Sequence, residues 1–222
     1  MPTKLDKREY RKITAQMETR TAEDGAMIVE GYATTFNQPY ELWRDKEMTV
    51  NEQVDPNAFA ETDMTDVIMQ YDHEGRVFAR IANGTLVIEP DEHGLRIRAN
   101  LGGTEIGRQL FEEIQGGYTN KMSFGFTVTG EERKTTKGED GHITVLRTIT
   151  KIGKLYDVSA VSLPANDATE ISARNIGDGL ITEVLKEIQA EEERAQEEAE
   201  AERRRAALEK LNKLIKEVQH HE

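Results

Sequence analysis

One strand pattern, at residues 121–128, constrains the fold more than any other feature of this sequence. Side chains alternate between the two faces of a strand. The apolar residues of this segment therefore share a face that points into a core: Met122, Phe124, Phe126 and Val128. Ser123 and Gly125 lie on the other face, where the glycine is expected to leave open space beside the hydroxyl. A hydroxyl on a rigid strand beside such a gap suits a nucleophile that faces a cleft. The alternative is an ordinary solvent-facing serine.

A second segment, residues 67–76, has the pattern of an apolar strand that ends on His73 and then turns at Gly75. The chain has five histidines, and His73 is the one that ends a strongly apolar strand. Histidine changes its protonation state near neutral pH, so His73 is a candidate base. A purely structural role at the end of the strand is the alternative.

A third segment, residues 155–166, is mostly apolar on both faces, which predicts a strand that is covered on both sides. Asp157 then lies in a poorly solvated place, where a carboxylate without a partner is costly. Lysine, arginine or backbone amides could satisfy it. Asp157 could equally accept the Nδ1 proton of a histidine that acts on a serine.

Together these segments resemble a known family. Tyr-Asp-His-Glu around His73, Met-Ser-Phe-Gly-Phe around Ser123 and Leu-Tyr-Asp-Val-Ser-Ala-Val-Ser-Leu-Pro-Ala-Asn around Asp157 occur in this order. With residues 29–37 and 52–59, they resemble the prohead serine proteases of tailed bacteriophages over residues 9–174. The resemblance implies Ser123 as nucleophile, His73 as base and Asp157 as the orienting residue. At the third position this family usually shows an acidic residue, often glutamate.

The resemblance also implies a fold and a function. The expected fold is α+β: a mainly antiparallel, closed β-barrel with peripheral helices, similar to the herpesvirus assembly proteases. The expected activity is that of a serine endopeptidase that cleaves the major capsid protein, a scaffold segment and itself during procapsid maturation. Such a protein would act in the host cytoplasm and then inside the procapsid, as a homo-oligomer. Backbone amides near Gly125, or a water held by Arg76 or Arg80, are candidates to stabilise the oxyanion.

Composition excludes several other functions. The chain has 222 residues and no cysteine, so no disulfide and no thiol chemistry is expected. Histidine spacing typical of a metal site is absent from the sequence, and we expect neither a metal nor a cofactor. No apolar run approaches the roughly 18 residues of a membrane span, and the first residues lack the apolar core of a signal peptide. A soluble intracellular protein without a membrane role is therefore expected. The net charge of −13 disfavours nucleic-acid binding.

The sequence predicts a β-rich domain over residues 1–175 and a charged, helical tail over residues 176–222. Within the domain, strands are predicted at residues 67–71, 77–81, 85–89 and 95–101. Thr104 is expected to cap a helix that ends at Gly116, and residues 37–49 and 131–141 are expected to be loops. Residues 142–152 and 155–163 are expected to form two separate strands.

The tail is either a coiled-coil or scaffold-like appendage or a segment removed by self-cleavage. Its Ala- and Glu-rich composition also supports an alternative function, a non-catalytic capsid assembly or scaffolding protein made of a β-barrel and a coiled-coil tail.

Overall fold

Strands make up most of the chain that the computed structural model describes, which comprises residues 8–13, 17–161, 186, 188–190, 193–194 and 196–209. In chain order they are β1 (Glu9–Ile13), β2 (Glu18–Thr21), β3 (Met27–Thr35), β4 (Tyr40–Arg44), β5 (Met48–Val54), β6 (Ile68–Tyr71), β7 (Glu74–Arg80), β8 (Leu86–Pro90), β9 (Gly94–Asn100), β10 (Lys121–Lys137) and β11 (Ile143–Val161). A short 3₁₀ helix (Ile81–Asn83) precedes β8, and helix α1 (Glu105–Gln115) precedes β10.

The larger of two sheets is built around β11. Its strand order is β1-β10-β11-β5-β4, and β6 and β7 extend it because β6 also pairs with β11. Strand β11 is long enough to pair in parallel with two strands, with β5 along residues 143–149 and with β6 along residues 157–160. The other pairs in this sheet are antiparallel. Strand β11 therefore brings the end of β6 next to β10.

The smaller sheet is antiparallel, with the order β2-β3-β9-β8. The expectation of an α+β fold rich in antiparallel strands is confirmed. The closed barrel is not confirmed, because the described strands pair as two separate sheets. Closure requires the two outermost strands of a sheet to pair with each other. Within the described residues, β4 pairs with β5 alone and β7 with β6 alone.

The apolar face of β10 lies in the core, as its alternation predicts. Met122, Phe124 and Phe126 have no exposed surface, and the two phenylalanine rings stack with their centroids 4.4 Å apart. Residues of both sheets belong to the same core, including Val29 of β3 and Met69 of β6. The burial of apolar surface in this shared core holds the two sheets together.

Helix α1 follows its sequence signals closely. The Thr104 side chain accepts a hydrogen bond of 3.1 Å from the backbone N–H of Gly107, which caps the first turn as predicted. Leu110, Phe111 and Ile114 recur at helical spacing and are buried. The helix ends at Gln115, immediately before two glycines.

Three segments differ from their predicted structure. Residues 37–49 contain β4 and the start of β5, and β10 continues as a strand to Lys137 through a segment predicted to be a loop. Residues 143–161 form one strand, not two. The charged end of β10 pairs with buried residues of β11, such as Val145 opposite Thr135. Pairing with a neighbour, which the local sequence does not show, decides the structure of such segments.

The chain divides into two compact units, Met1–Asn175 and Ile176–Glu222. In the second unit, residues 196–209 are helical, as are residues 186, 188–190 and 193–194. The tail sequence also has two apolar stripes at helical spacing, at residues 181–188 and 208–218, and most of their positions lie outside the described residues.

Candidate active site

Strand pairing in the larger sheet brings the three predicted site residues to one place. In the β10–β11 pair, Ser123 lies opposite Ser159, and Gly125 lies opposite Asp157. Strand β6 pairs with the same end of β11, so the turn after β6 carries His73 to this point. Residues that are 50 and 84 positions from His73 in the chain thus become its neighbours.

His73 bridges the other two side chains. Its Nδ1 lies 2.5 Å from Asp157 Oδ1, and its Nε2 lies 2.5 Å from Ser123 Oγ. Ser123 has no exposed surface, while the side chains of Asp157 and His73 are 3% and 13% exposed. If Nδ1–H donates to the carboxylate, Nε2 is left to accept the serine proton. The arrangement can therefore remove that proton as the serine oxygen attacks a carbonyl carbon.

Asp157 has a second hydrogen-bond donor. Ser159 Oγ donates to Asp157 Oδ1 at 2.9 Å, and Ser159 has no exposed surface. A buried carboxylate needs such donors, because it has lost its hydrogen bonds to water. Among the described residues, histidine is the one of the partners considered from the sequence that contacts this carboxylate, and a serine hydroxyl accompanies it.

Gly125 does not leave open space beside Ser123, so that prediction is wrong. A Cβ atom at position 125 would collide with Asp157 Oδ2 and would lie 2.8 Å from Cε1 of Tyr10. The space that the glycine provides is filled by this carboxylate and by the tyrosine ring. Gly125 therefore permits the close approach of Asp157 to the strand that carries Ser123.

The turn that carries His73 has an uncommon backbone conformation. Asp72 and His73 have φ values of +48° and +62°, at the centre of the tight turn between β6 and β7. Two-residue hairpin turns with positive φ at both positions favour asparagine and glycine. The Asp72 N–H donates to the carbonyl of Ala160 at 3.0 Å, which fixes the turn to β11. Backbone conformations of this kind cluster at functional sites.

Strand β1 packs against the imidazole. Tyr10 lies opposite Gly125 in the β1–β10 pair, and the centroids of the Tyr10 and His73 rings are 4.4 Å apart, with the ring planes inclined at 57°. Aromatic rings at this distance and angle attract each other. The tyrosine therefore restricts the orientations that the imidazole can adopt.

A buried network of charges joins β1 to the rest of the sheet. Arg11 donates to Glu52 Oε2 at 2.9 Å, and Arg147 donates to the same oxygen at 2.5 Å. The Tyr40 hydroxyl donates to Glu52 Oε1 at 2.5 Å. Burial alone would raise the pKa of Glu52, but the positive charges of Arg11 and Arg147 lower it below its ordinary value. Burial, reinforced by the charge of Glu52, raises the pKa of Tyr40 well above its ordinary value.

The two arginines considered as oxyanion partners have different surroundings. Arg80 forms an ion pair with Asp66, and Arg76 lines a cavity between β7 and α1. The backbone amides near Gly125 stay a prediction.

Two residues of the site were not identified from the sequence. Ser159 could have been found, because it follows Asp157 by two positions and therefore shares its face of the strand. Tyr10 could not, since the sequence does not show which strand pairs with β10.

Within the described residues, no group of three or more histidine, aspartate or glutamate side chains is placed to hold a metal ion. The described helices also include none that is long and apolar enough to cross a membrane.

A serine hydroxyl, an imidazole and a carboxylate joined in one hydrogen-bonded chain have the geometry of the serine hydrolase triad, here on a β-rich fold. Residues 15–180 match the family model of the caudovirus prohead serine proteases. The chain belongs to this family. Its matched segment contains Ser123, His73 and Asp157.

One solved structure with a similar chain is that of the capsid assembly protease of bacteriophage T4. The two chains are 16% identical, with a TM-score of 0.38, and the similarity covers 70% of this chain and 99% of that one. Among curated proteins, none matches significantly.

Proposed function

We propose that the chain is a serine endopeptidase in which Ser123 is the nucleophile, His73 the general base and Asp157 the residue that orients His73. The observation that supports this most is the pair of 2.5 Å contacts that His73 makes with the other two side chains. Family membership supports it independently.

The proposed reaction has two steps. Ser123 Oγ attacks the carbonyl carbon of a peptide bond while its proton passes to His73 Nε2, which then gives that proton to the leaving amine. Water, activated by the same imidazole, hydrolyses the resulting acyl ester. General-base assistance of this kind contributes about 10²–10⁴-fold to the rate.

The proposed substrates are the major capsid protein and a scaffold segment, and the protein also cleaves itself. The family name supports a role in prohead maturation, so we assign the proposed activity to the host cytoplasm and then to the interior of the procapsid. A homo-oligomer is the proposed working form. The removable segment is the tail after residue 175, which forms a separate compact unit.

One observation favours the alternative, a non-catalytic assembly protein. Ser123 has no exposed surface, so a substrate reaches it only if neighbouring groups move. A reagent that acylates or phosphonylates active serines distinguishes the two functions, because it is small and reacts with activated hydroxyls alone.

The test is incubation of the purified protein with a fluorophosphonate, followed by mass spectrometry of the intact and digested chain. The expected result in the treated sample is one label, on Ser123. Protein without the reagent should be converted slowly to a form that ends near residue 175. Ser123→Ala should remain unlabelled and full-length, with peptide cleavage reduced about 10⁴-fold or more.

Thr34→Ala is the matched control, since it removes a buried hydroxyl from β3, which belongs to the other sheet and carries no residue of the proposed site. It should still be labelled at Ser123. Labelling of Ser123→Ala at another serine, or an unlabelled wild-type protein, would contradict the proposed function.

A further inference from the structure

A cavity of about 420 Å³ lies between β7 and helix α1, and the proposed mechanism does not use it. Its apolar walls are formed by Tyr71, Phe78, Ile106 and Leu110. Cavities of this size with apolar walls and a few polar groups are typical of binding sites.

The cavity adjoins the turn that carries His73. Two of its lining residues, Tyr71 and Glu74, pair with each other across the turn formed by Asp72 and His73. Among the three proposed catalytic side chains, His73 has the largest exposed fraction, 13%, while Ser123 has none. A substrate therefore has its most direct approach from the side of this turn.

The outer edge of β7 has no partner strand among the described residues. Among the strands that the structure describes, β7 pairs with β6 alone. An extended peptide can hydrogen-bond along such an edge, and its alternate side chains then point to the same face. A peptide on this edge would bring one set of side chains to the cavity.

We infer that this cavity is a specificity pocket, which binds a large apolar side chain of a peptide substrate that lies extended along β7. The inference rests on the proposed protease function. The rim carries Glu74, Glu113 and Arg76, two negative charges and one positive, so its net charge of −1 disfavours an acidic side chain. The four apolar walls favour an apolar one.

The test compares Ile106→Glu with Val87→Glu. Ile106 is a half-buried wall of the cavity, while Val87 is 41% exposed on β8 and does not line it. Each protein is incubated with a peptide library of unbiased sequence, and the cleavage sites are identified by mass spectrometry. Fluorophosphonate labelling of Ser123 is measured in parallel, because this small reagent does not need the pocket.

Wild-type protein and Val87→Glu should prefer a large apolar residue at one fixed position from the cleaved bond. In Ile106→Glu that preference should fall about 10–100-fold, while the labelling rate stays at the wild-type value. If Ile106→Glu does not fold, Gln109→Trp, at an exposed lining position, should block the cavity and give the same loss. An unchanged preference in a labelled variant would overturn the pocket and leave the protease function standing. A wild-type protein that is neither labelled nor active would overturn both.

Discussion

At the scale of single residues, the Asp157 carboxylate accepts hydrogen bonds from two donors, and each bond has a different effect. The bond from His73 Nδ1 couples the carboxylate to the proposed base, and the bond from Ser159 fixes where that carboxylate points. Oδ1 accepts both bonds, while Oδ2 faces the Cα of Gly125. The side chain of Asp157 is one carbon shorter than glutamate, and it reaches His73 because the turn after β6 is held directly against β11.

We therefore expect Ser159→Ala to weaken the proposed catalytic site without unfolding the protein. A hydrogen bond to a charged group is worth about 1.5–3 kcal/mol, so fluorophosphonate labelling and kcat should fall about 10–100-fold, with KM little changed. The low-field proton NMR signal of the bond between His73 and Asp157 should shift or broaden.

Ser159→Thr keeps the hydroxyl and should restore both the NMR signal and the labelling rate. Labelling of Ser159→Ala at the wild-type rate, with an unchanged NMR signal, would show that Ser159 does not position the carboxylate.

At the scale of secondary-structure elements, the β6–β7 hairpin determines where His73 lies. Three residues of the turn region have positive φ values: the consecutive Asp72 and His73, and Gly75, which follows after Glu74. Gly75 has φ +73° and open space around its Cα, so the backbone angle, not crowding, makes glycine the favoured residue.

Gly75→Ala should cost about 1 kcal/mol of folding free energy, since a side chain disfavours this backbone region. It should also slow Ser123 labelling, because the altered turn moves His73. Urea unfolding and labelling rates measure the two effects.

Gly84→Ala provides the matched control. Gly84 has φ +74°, again with open space, but it ends the 3₁₀ helix and lies outside the site. Gly84→Ala should lose about as much folding free energy as Gly75→Ala, and its Ser123 should be labelled at the wild-type rate. Equal labelling rates in the two variants would contradict the role given to the hairpin.

The elements also show what the sequence alone can predict. The alternation of apolar and polar residues correctly predicted the core face of β10, and the Thr104 cap correctly predicted the start of α1, because these signals are local. The motifs around Ser123, His73 and Asp157 indicated the site. The charged end of β10 and the contact of Tyr10 with His73 could not be predicted, since both depend on which strands pair. The same is true of the two-sheet arrangement.

At the scale of the whole molecule, the chain has a net charge of −13 but buries a compact set of paired charges between its strands. Arg11, Glu52 and Arg147 come from β1, β5 and β11, and each is at most 4% exposed. Removing one partner of such a set leaves a buried charge without compensation, which is strongly destabilising.

Stability should therefore depend on pH in a defined way. The folded pKa of Glu52 lies below its ordinary value of 4.5, so the unfolded chain binds more protons and stability falls as the pH drops below that value. The folded pKa of Tyr40 lies above its ordinary value of 10.0, so stability also falls as the pH rises beyond that value. Urea unfolding across a pH series measures both the loss of stability at low pH, the acid limb of the profile, and the loss at high pH.

Glu52→Gln should be less stable at neutral pH and should show a flatter acid limb, because the group that titrates is gone. Glu112→Gln, at an exposed position of α1, is the control and should leave the profile unchanged. An acid limb that is identical in Glu52→Gln and the wild type would contradict this assignment.

The central place of β11 has a consequence during synthesis. This strand is the last to leave the ribosome among those that build the site, and it pairs with β10, β5 and β6. Contacts between residues so far apart in sequence form slowly, because long loops must close first. A nascent chain that ends before Asp157 contains the proposed nucleophile and base but has no strand to join them. Translation order therefore delays the proposed proteolytic activity until nearly the whole β-rich unit has been made.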